Sequence, residues 1–295
     1  MEDGGAVTRA RLLVCAALVV AAGAAAGRAA TQSTPDVNAL VARVGERVAG
    51  YYQRAQTIVC VETATVQPIG TNWSWDGMAR TVESELRIEP DASVRREVRS
   101  INGRLPRDRD RKDRAGCTDP DPLSAEPLAF LMPDKREAYR FTAVHEVREK
   151  NQPALAIDFM SAIERSRAEL IEDGRGHDDC FDWSGPIATR GRVWVDAATY
   201  DVLRVDRHNA GPVDLRVSWK LQRRYNMDAF FVLERDDLTL RYKRVTFSEP
   251  EEVVVLPESI ESVTVVRSGL QSTRRTTTFS DYRRFLTGGR VRTAR

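Results

Sequence analysis

RGRVWVDAATYDVLRVDR, residues 190 to 207, decides the fold. Two β-rich runs, Gly191 to Val195 and Val202 to Asp206, flank a segment that begins with the turn-former Asp196. A loop over Ala197 to Tyr200 places Trp194 opposite Leu203 on one face and Val195 opposite Val202 on the other. Both faces are then apolar, and a hairpin of that kind asks for a cover on each side.

Working outward, the cover on one side is legible upstream. From Thr34 to Arg54, Val37, Leu40, Val41, Val44, Val48 and Tyr51 recur at helical intervals, with Thr34 placed to cap and Pro35 to open the first turn. One apolar stripe of this kind lies across a sheet. Thereafter the period drops to two. Thr57 to Gln67, Arg80 to Glu89 and Val94 to Ile101 read as strands, the last ending at the turn signal Asn102-Gly103. Between the first two, Thr71 to Gly77 carries Trp73 and Trp75; an exposed aromatic pair can mark a binding edge, but the loop is read first as a plug for the end of a barrel. Arg107 to Arg114 alternates in sign and reads as solvated; Ser124 to Met132 reads as one short apolar helix.

Strands resume at Tyr139. Tyr139, Phe141, Ala143, His145 and Val147 share one face by alternation, and Leu155, Ile157 and Phe159 share another. Glu164 to Pro186 is largely polar. Beyond the hairpin, Val213 to Leu221, Ala229 to Glu234, Leu238 to Phe247, Val253 to Leu256, Ile260 to Arg267 and Ser272 to Phe279 continue the strands. A change of parity implies a bulge near Lys243 or Arg244. The pattern is mainly β (α+β): a curled antiparallel sheet or half-open β-barrel with an N-terminal amphipathic helix packed against it.

Arg9 and Arg11 before the apolar run Leu12 to Ala26, then small residues to Ala30, read as a secretory signal peptide over 1–30. The run is shorter than the ~20 residues of a membrane span. A single domain over 31–288 and a disordered basic tail over 289–295 follow, in the periplasm or secreted, as a monomer. Without the leader the chain holds 42 basic and 41 acidic residues. That balance offers no electrostatic reason to bind nucleic acid. Cys60, Cys117 and Cys180 remain after the leader. Cys60 sits in a strand-like run as a small core residue, whereas Cys117 and Cys180 fall in polar segments and form the expected disulfide, worth about 4 kcal/mol on the chain-entropy account.

Signatures of catalysis are sparse. No G-x-S-x-G, H-E-x-x-H, phosphate-loop or dinucleotide motif occurs, and His145, His177 and His208 are scattered. His145 reads as a hydrogen-bonded core residue, and the loop His177 to Cys180 as solvated, so neither a metal nor a cofactor is expected. The last segment, Gln271 to Arg295, holds seven arginines against one aspartate. Arg274, Arg275, Arg283 and Arg284 either meet an anionic envelope surface or decorate an edge strand.

ARTVESELR at 79–87, SAEPLAFLMP at 124–133, RGRVWVDAATYDVLRVD at 190–206, GPVDLRV at 211–217 and TTTFSDYRRFLTGGR at 276–290 together resemble a family of exported acidobacterial proteins of uncharacterised function. At the level of fold, the helix followed by a curled sheet with a G-R-x-W-x-D hairpin resembles LolA-like periplasmic lipoprotein carriers. That likeness implies an unclosed barrel with an apolar cavity for lipid or an acylated ligand. Candidate walls are Phe141, Trp194 and Leu240, with Tyr139 and His145 on the face of Phe141. Where related hairpins place Gly after the Thr of the turn, this chain has Tyr200. An exported hydrolase and an envelope-docking module are the alternatives.

Overall fold

The computed structural model describes residues 36–70, 72–88, 94–107, 127–172, 180–248, 250–267, 270–286 and 290–293. The leader, the Thr34-Pro35 cap, Cys117 and His177 lie outside these residues, as does the charged run after Arg107. Helix α1 (Val37–Ala55) precedes strands β1 (Ile58–Ile69), β2 (Arg80–Ile88), β3 (Val94–Ile101), β4 (Tyr139–Glu149) and β5 (Gln152–Ser161). Next come β6 (Ala168–Glu172), β7 (Phe181–Ser184), β8 (Thr189–Asp196), β9 (Val202–Asn209) and β10 (Val213–Val217). Helix α2 (Trp219–Tyr225) leads to β11 (Phe230–Ser248), β12 (Glu251–Arg267), β13 (Ser272–Leu286) and β14 (Arg290–Thr293).

The main path of the sheet runs β3-β2-β1-β13-β12-β11-β9-β8-β5-β4, so its two ends are different strands and it does not close into a barrel. Its pairings are antiparallel. The one parallel pairing among the described residues joins β10 to β6, off that path. Residues 290–293, expected in the basic tail, pair with β13 as β14.

Asp36 caps α1, its carboxylate accepting from the Asn38 amide at 3.0 Å. Leu40, Val41, Val44 and Val48 form the buried stripe, worth on the order of 6–10 kcal/mol as an upper estimate. Gly45 lies on the same side because the chain passes very close: a Cβ there would sit 2.6 Å from the Leu131 carbonyl oxygen. That oxygen belongs to a 3-10 turn over Ala129–Leu131, which stands where a short helix was expected. The stripe, the turn and one face of the sheet make a single core with Ile157, Phe159, Val193, Val195, Val205 and Leu240 among its members.

The central hairpin forms as β8 and β9, with Val195 opposite Val202 as expected. Trp194, however, faces Arg204 rather than Leu203, because the register shifts between Trp194 and Val195 and leaves Leu203 as the extra residue of β9. Asp196 builds the turn by accepting from the amides of Ala198 and Thr199, each at 2.9 Å. Tyr200 takes the left-handed conformation, φ 60°, without the help of glycine. Its hydroxyl accepts from Arg43 at 3.0 Å, so the strained residue ties the hairpin to α1.

Two further bulges set the faces. On β4 the register shifts between Phe141 and Ala143, so Phe141 and Val144 lie over Phe159 and Ile157 while Ala143 and His145 turn to the other side. The expected single face from Tyr139 to Val147 is therefore broken. On the β11–β12 ribbon, where a bulge was expected near Lys243 or Arg244, the shift falls just before them, between Arg241 and Tyr242, with Glu258 of β12 as the extra residue.

A small second core, not expected from the sequence, lies off the main path of the sheet. Strands β6 and β7, within the polar stretch 164–186, and β10 pack Ala168, Leu170, Val213, Leu215 and Val217 with Leu221 of α2. Ser218 caps α2 toward Leu221, and Asn226 ends it at φ 51°. This helix replaces the end of the strand expected over Val213 to Leu221.

Candidate functional site: the seam between α1 and the sheet

The expected site residues divide between the two faces. Tyr139, Phe141 and Leu240 lie on the side covered by α1, all within or against the main core. Tyr139 and Phe141 join Phe130 and Phe159 in an aromatic cluster, with ring centroids 4.9 to 6.4 Å apart. Phe159 can sit there because Gly191, directly opposite on β8, has no Cβ to occupy the space of its ring.

Trp194 and His145 lie on the other side of the sheet. Trp194 falls between Val193 and Val195, both buried in the core, so its indole faces away from α1. Arg192 and Arg204 stack on it at 5.9 and 4.7 Å from the ring. The same arginines grip carboxylates in two-pronged pairs: Arg192 with Asp158 at 2.5 and 3.0 Å, Arg204 with Asp206 at 2.9 and 2.6 Å. His145 is exposed, and its Nε2 lies 3.3 Å from Asp158. The second apolar face of the hairpin is thus sheathed by arginine stems and ion pairs rather than by another layer. A groove of about 440 Å³ beside it includes Met160, Arg190, Trp194 and His208.

Under α1 the seam is nearly full. Val48, Tyr51, Leu128, Val202, Tyr242 and Val255 leave a gap of about 20 Å³, with Arg47, Arg54 and Asp201 at its edge. That is room for one water, not for a chain of methylenes. Arg47 pairs with Asp201 at 2.8 Å and Arg54 with Glu252 at 3.5 Å, so the helix is latched along both sides of the gap. Tyr51 stacks on Tyr52 at 5.0 Å and meets Tyr242 edge-on at 6.3 Å. The Tyr52 hydroxyl accepts from the Leu128 amide at 2.7 Å.

Tyr242 differs from these neighbours. Its hydroxyl is fully buried and hydrogen-bonds nothing among the described residues. Buried hydroxyls are normally satisfied, and leaving one unsatisfied costs about 1–3 kcal/mol. Burial, reinforced by Tyr51 and Tyr52, pushes its pKa well up, so it stands as a neutral hydrogen-bond donor. Burial likewise pushes Tyr51 up, and it takes the Cys60 thiol to about 12, which leaves that free cysteine inert. The seam offers apolar walls and one unused polar group. In the sequence Tyr51 falls on the helical stripe and Tyr242 alternates with Leu238 and Leu240, but neither stood out as a site residue.

The remaining expectations distribute as follows. Cys180 is buried; its expected partner Cys117 is not among the described residues, and the pair stays a proposal. Arg283 pairs with Glu85 at 2.7 Å, and Arg284 pairs with Glu252 at 2.5 Å while stacking on Phe247. Since β13 runs between β1 and β12, these arginines hold strands together and do not decorate an edge. Arg274 is exposed, and Arg275 reaches Thr277 at 3.3 Å. No helix among the described residues is long and apolar enough to cross a membrane.

No protein-family model matches the chain, and no curated protein is similar to it in sequence. Among solved structures, an outer-membrane lipoprotein-sorting protein domain from Vibrio parahaemolyticus aligns at 12% identity over 83% of this chain and 94% of its own, with a TM-score of 0.32. The MucB component of the Pseudomonas aeruginosa MucA/MucB complex aligns at 11% identity over 81% and 93%, with a TM-score of 0.24. TM-scores this low leave the reading of the site to its own geometry.

Proposed function

We propose that this chain is an extracytoplasmic binding or carrier protein that takes an acyl chain, of a lipid or an acylated protein, into the seam between α1 and the sheet. The observation that carries the reading is the Tyr242 hydroxyl, buried at an apolar gap without a partner. The gap of about 20 Å³ is the closed state, and loading requires α1 to lift. The magnitudes allow this. Exposing the stripe of α1 costs on the order of 6–10 kcal/mol, while burying an acyl chain returns about 0.8 kcal/mol per methylene, so a chain of about 12 carbons offsets it. The latches Arg47–Asp201 and Arg54–Glu252 are exposed enough to exchange for water at a cost of about 1 kcal/mol or less each. Either freed guanidinium then stands at the mouth for an anionic headgroup.

The place of action rests on the leader read over residues 1–30. The test is native mass spectrometry of the protein isolated from membranes under mild conditions, followed by titration with a fluorescent fatty acid. Wild type should carry lipid and bind the probe. Val48→Phe, which fills the gap, should weaken probe binding by on the order of tenfold or more, and Tyr242→Phe by a few-fold. Bare protein that ignores the probe, or a Val48→Phe variant that binds as wild type while melting normally, would contradict the reading.

A further inference from the structure

The end of the sheet where β1 runs out and β2 and β13 begin displays large apolar side chains that the seam does not use. Trp73 is 54% exposed, Trp75 79%, Met78 88% and Leu105 79%. The sequence suggested a loop that plugs a barrel; instead it points both indoles into solvent.

The display is built, not slack. Trp73 donates its amide to the Gly70 carbonyl at 3.0 Å, Gly70 donates to Ser74 at 2.8 Å, and Asp76 donates to Pro68 at 3.0 Å. Trp75 bridges Ile69, and the Gln67 side chain holds the Gly77 carbonyl at 3.1 Å. Trp73 itself stands at φ 65°, a conformation that glycine or asparagine adopts with less strain. Arg235 stacks over its ring at 5.1 Å. Leu105 joins this end through Asn102, whose amide and side chain pair with Thr81 at 2.8 Å each, setting its turn beside Met78 to Arg80.

Charge favours one kind of partner. Arg80, Arg104, Arg107 and Arg274 belong to the same end, against Asp76 in the loop and Asp237, which pairs with the Arg235 that covers Trp73. Arg274, opposite Gln67, is exposed and forms no ion pair among the described residues. Separate apolar tips that include two indoles, with guanidinium groups around them, match the boundary between headgroups and acyl chains. There indoles keep one end dry and one wet, and arginines meet phosphates. A folded protein partner would ask instead for a continuous patch.

We infer that this end of the sheet, with Trp73, Trp75, Met78 and Leu105 inserted and the arginines around them on headgroups, docks the protein on an anionic lipid surface. The site is independent of the seam. It is tested by co-sedimentation of the full chain with vesicles of phosphatidylcholine alone and of phosphatidylcholine mixed with phosphatidylglycerol. Wild type should bind the anionic vesicles on the order of tenfold tighter, less so as salt rises, with a blue shift of tryptophan emission. Trp73→Ala/Trp75→Ala should lose on the order of tenfold in binding while keeping the wild-type melting temperature. Met160→Ala, exposed on the face of the sheet away from α1, and Val48→Phe in the seam should bind vesicles as wild type does. Indifference to both vesicle types overturns the inference, as does unchanged binding by the double variant. Capture of a protein through the same tryptophans without vesicle binding overturns the lipid assignment too.

Discussion

Gly191→Ala tests how the central hairpin is tied to the core. A Cβ at this position would lie 2.1 Å from the Asp206 carbonyl oxygen and 2.6 and 2.9 Å from the Cζ and Cε1 atoms of Phe159. Ordinary contacts of this kind are about 3.4 Å or more, so β9 would have to move by roughly 1 Å or the Phe159 ring would have to leave its seat. The backbone of β9 is fixed by its pairing with β8, from Thr189↔Asn209 to Val195↔Val202, and yields little. Phe159 is buried at the centre of the aromatic cluster, where Phe130, Tyr139 and Phe141 hold its ring in place. Overpacking of this kind costs about 3 kcal/mol, which lowers the melting temperature of a chain this size by roughly 6–10 °C. Thermal unfolding followed by circular dichroism measures it. Gly211→Ala is the control: a Cβ there meets nothing within 4 Å, and the melting temperature should hold within about 1 °C. Phe159→Ala combined with Gly191→Ala should cost less than the sum of the two alone, because removing the ring removes part of the clash. A Gly191→Ala protein that melts with wild type would refute the packing described for this hairpin.

Stability should fall in acid with a definite sign. A hydrogen-bonded pair with Arg192 lowers the pKa of Asp158. For Asp196 burial raises it, but the amides of Thr199 and Ala198 and the charge of Arg244 outweigh that, and for Glu85 the pairs with Arg283 and Arg99 outweigh burial. Carboxylates depressed on folding stabilise above their unfolded pKa of about 4, and that contribution is lost as pH falls through the folded values. Asp236, raised by burial, acts in the opposite sense, one group against three. The melting temperature should therefore drop below about pH 4, and less steeply in Asp196→Asn. Gly45→Ala should destabilise by about 1–3 kcal/mol in denaturant titration, since the Leu131 carbonyl oxygen stands 2.6 Å from the new Cβ. Thiol labelling of the processed chain in denaturant without reductant should count one reactive cysteine, Cys60, if Cys117 and Cys180 are paired; three would refute the pair.

The long elements were legible because their patterns repeat: α1 by its stripe, the hairpin by its turn at Asp196 and two β-rich arms. Faces were harder to read. Alternation assigns a residue to a side only while register holds, and each bulge reverses it. The shift after Phe141 separates it from His145, which the sequence placed beside it. Trp194 misled for a different reason: an apolar ring counts toward a core, yet here arginine stems from Arg192 and Arg204 cover it only in part and leave it half-buried beside the groove. Strands β6 and β7 and helix α2 are too short for periodicity to show. Tyr242 could be placed on an inward face by parity, but a missing hydrogen-bond partner is a property of three dimensions.

A photoreactive diazirine fatty acid, cross-linked to the protein and mapped by peptide mass spectrometry, addresses the seam itself. Acyl-chain binding under α1 predicts labels on the peptides of Val48 and Tyr51, of Tyr242, and of Val255, lost in Val48→Phe. Labels confined to the groove beside Trp194 and Met160, or spread over the surface without saturation, would contradict it.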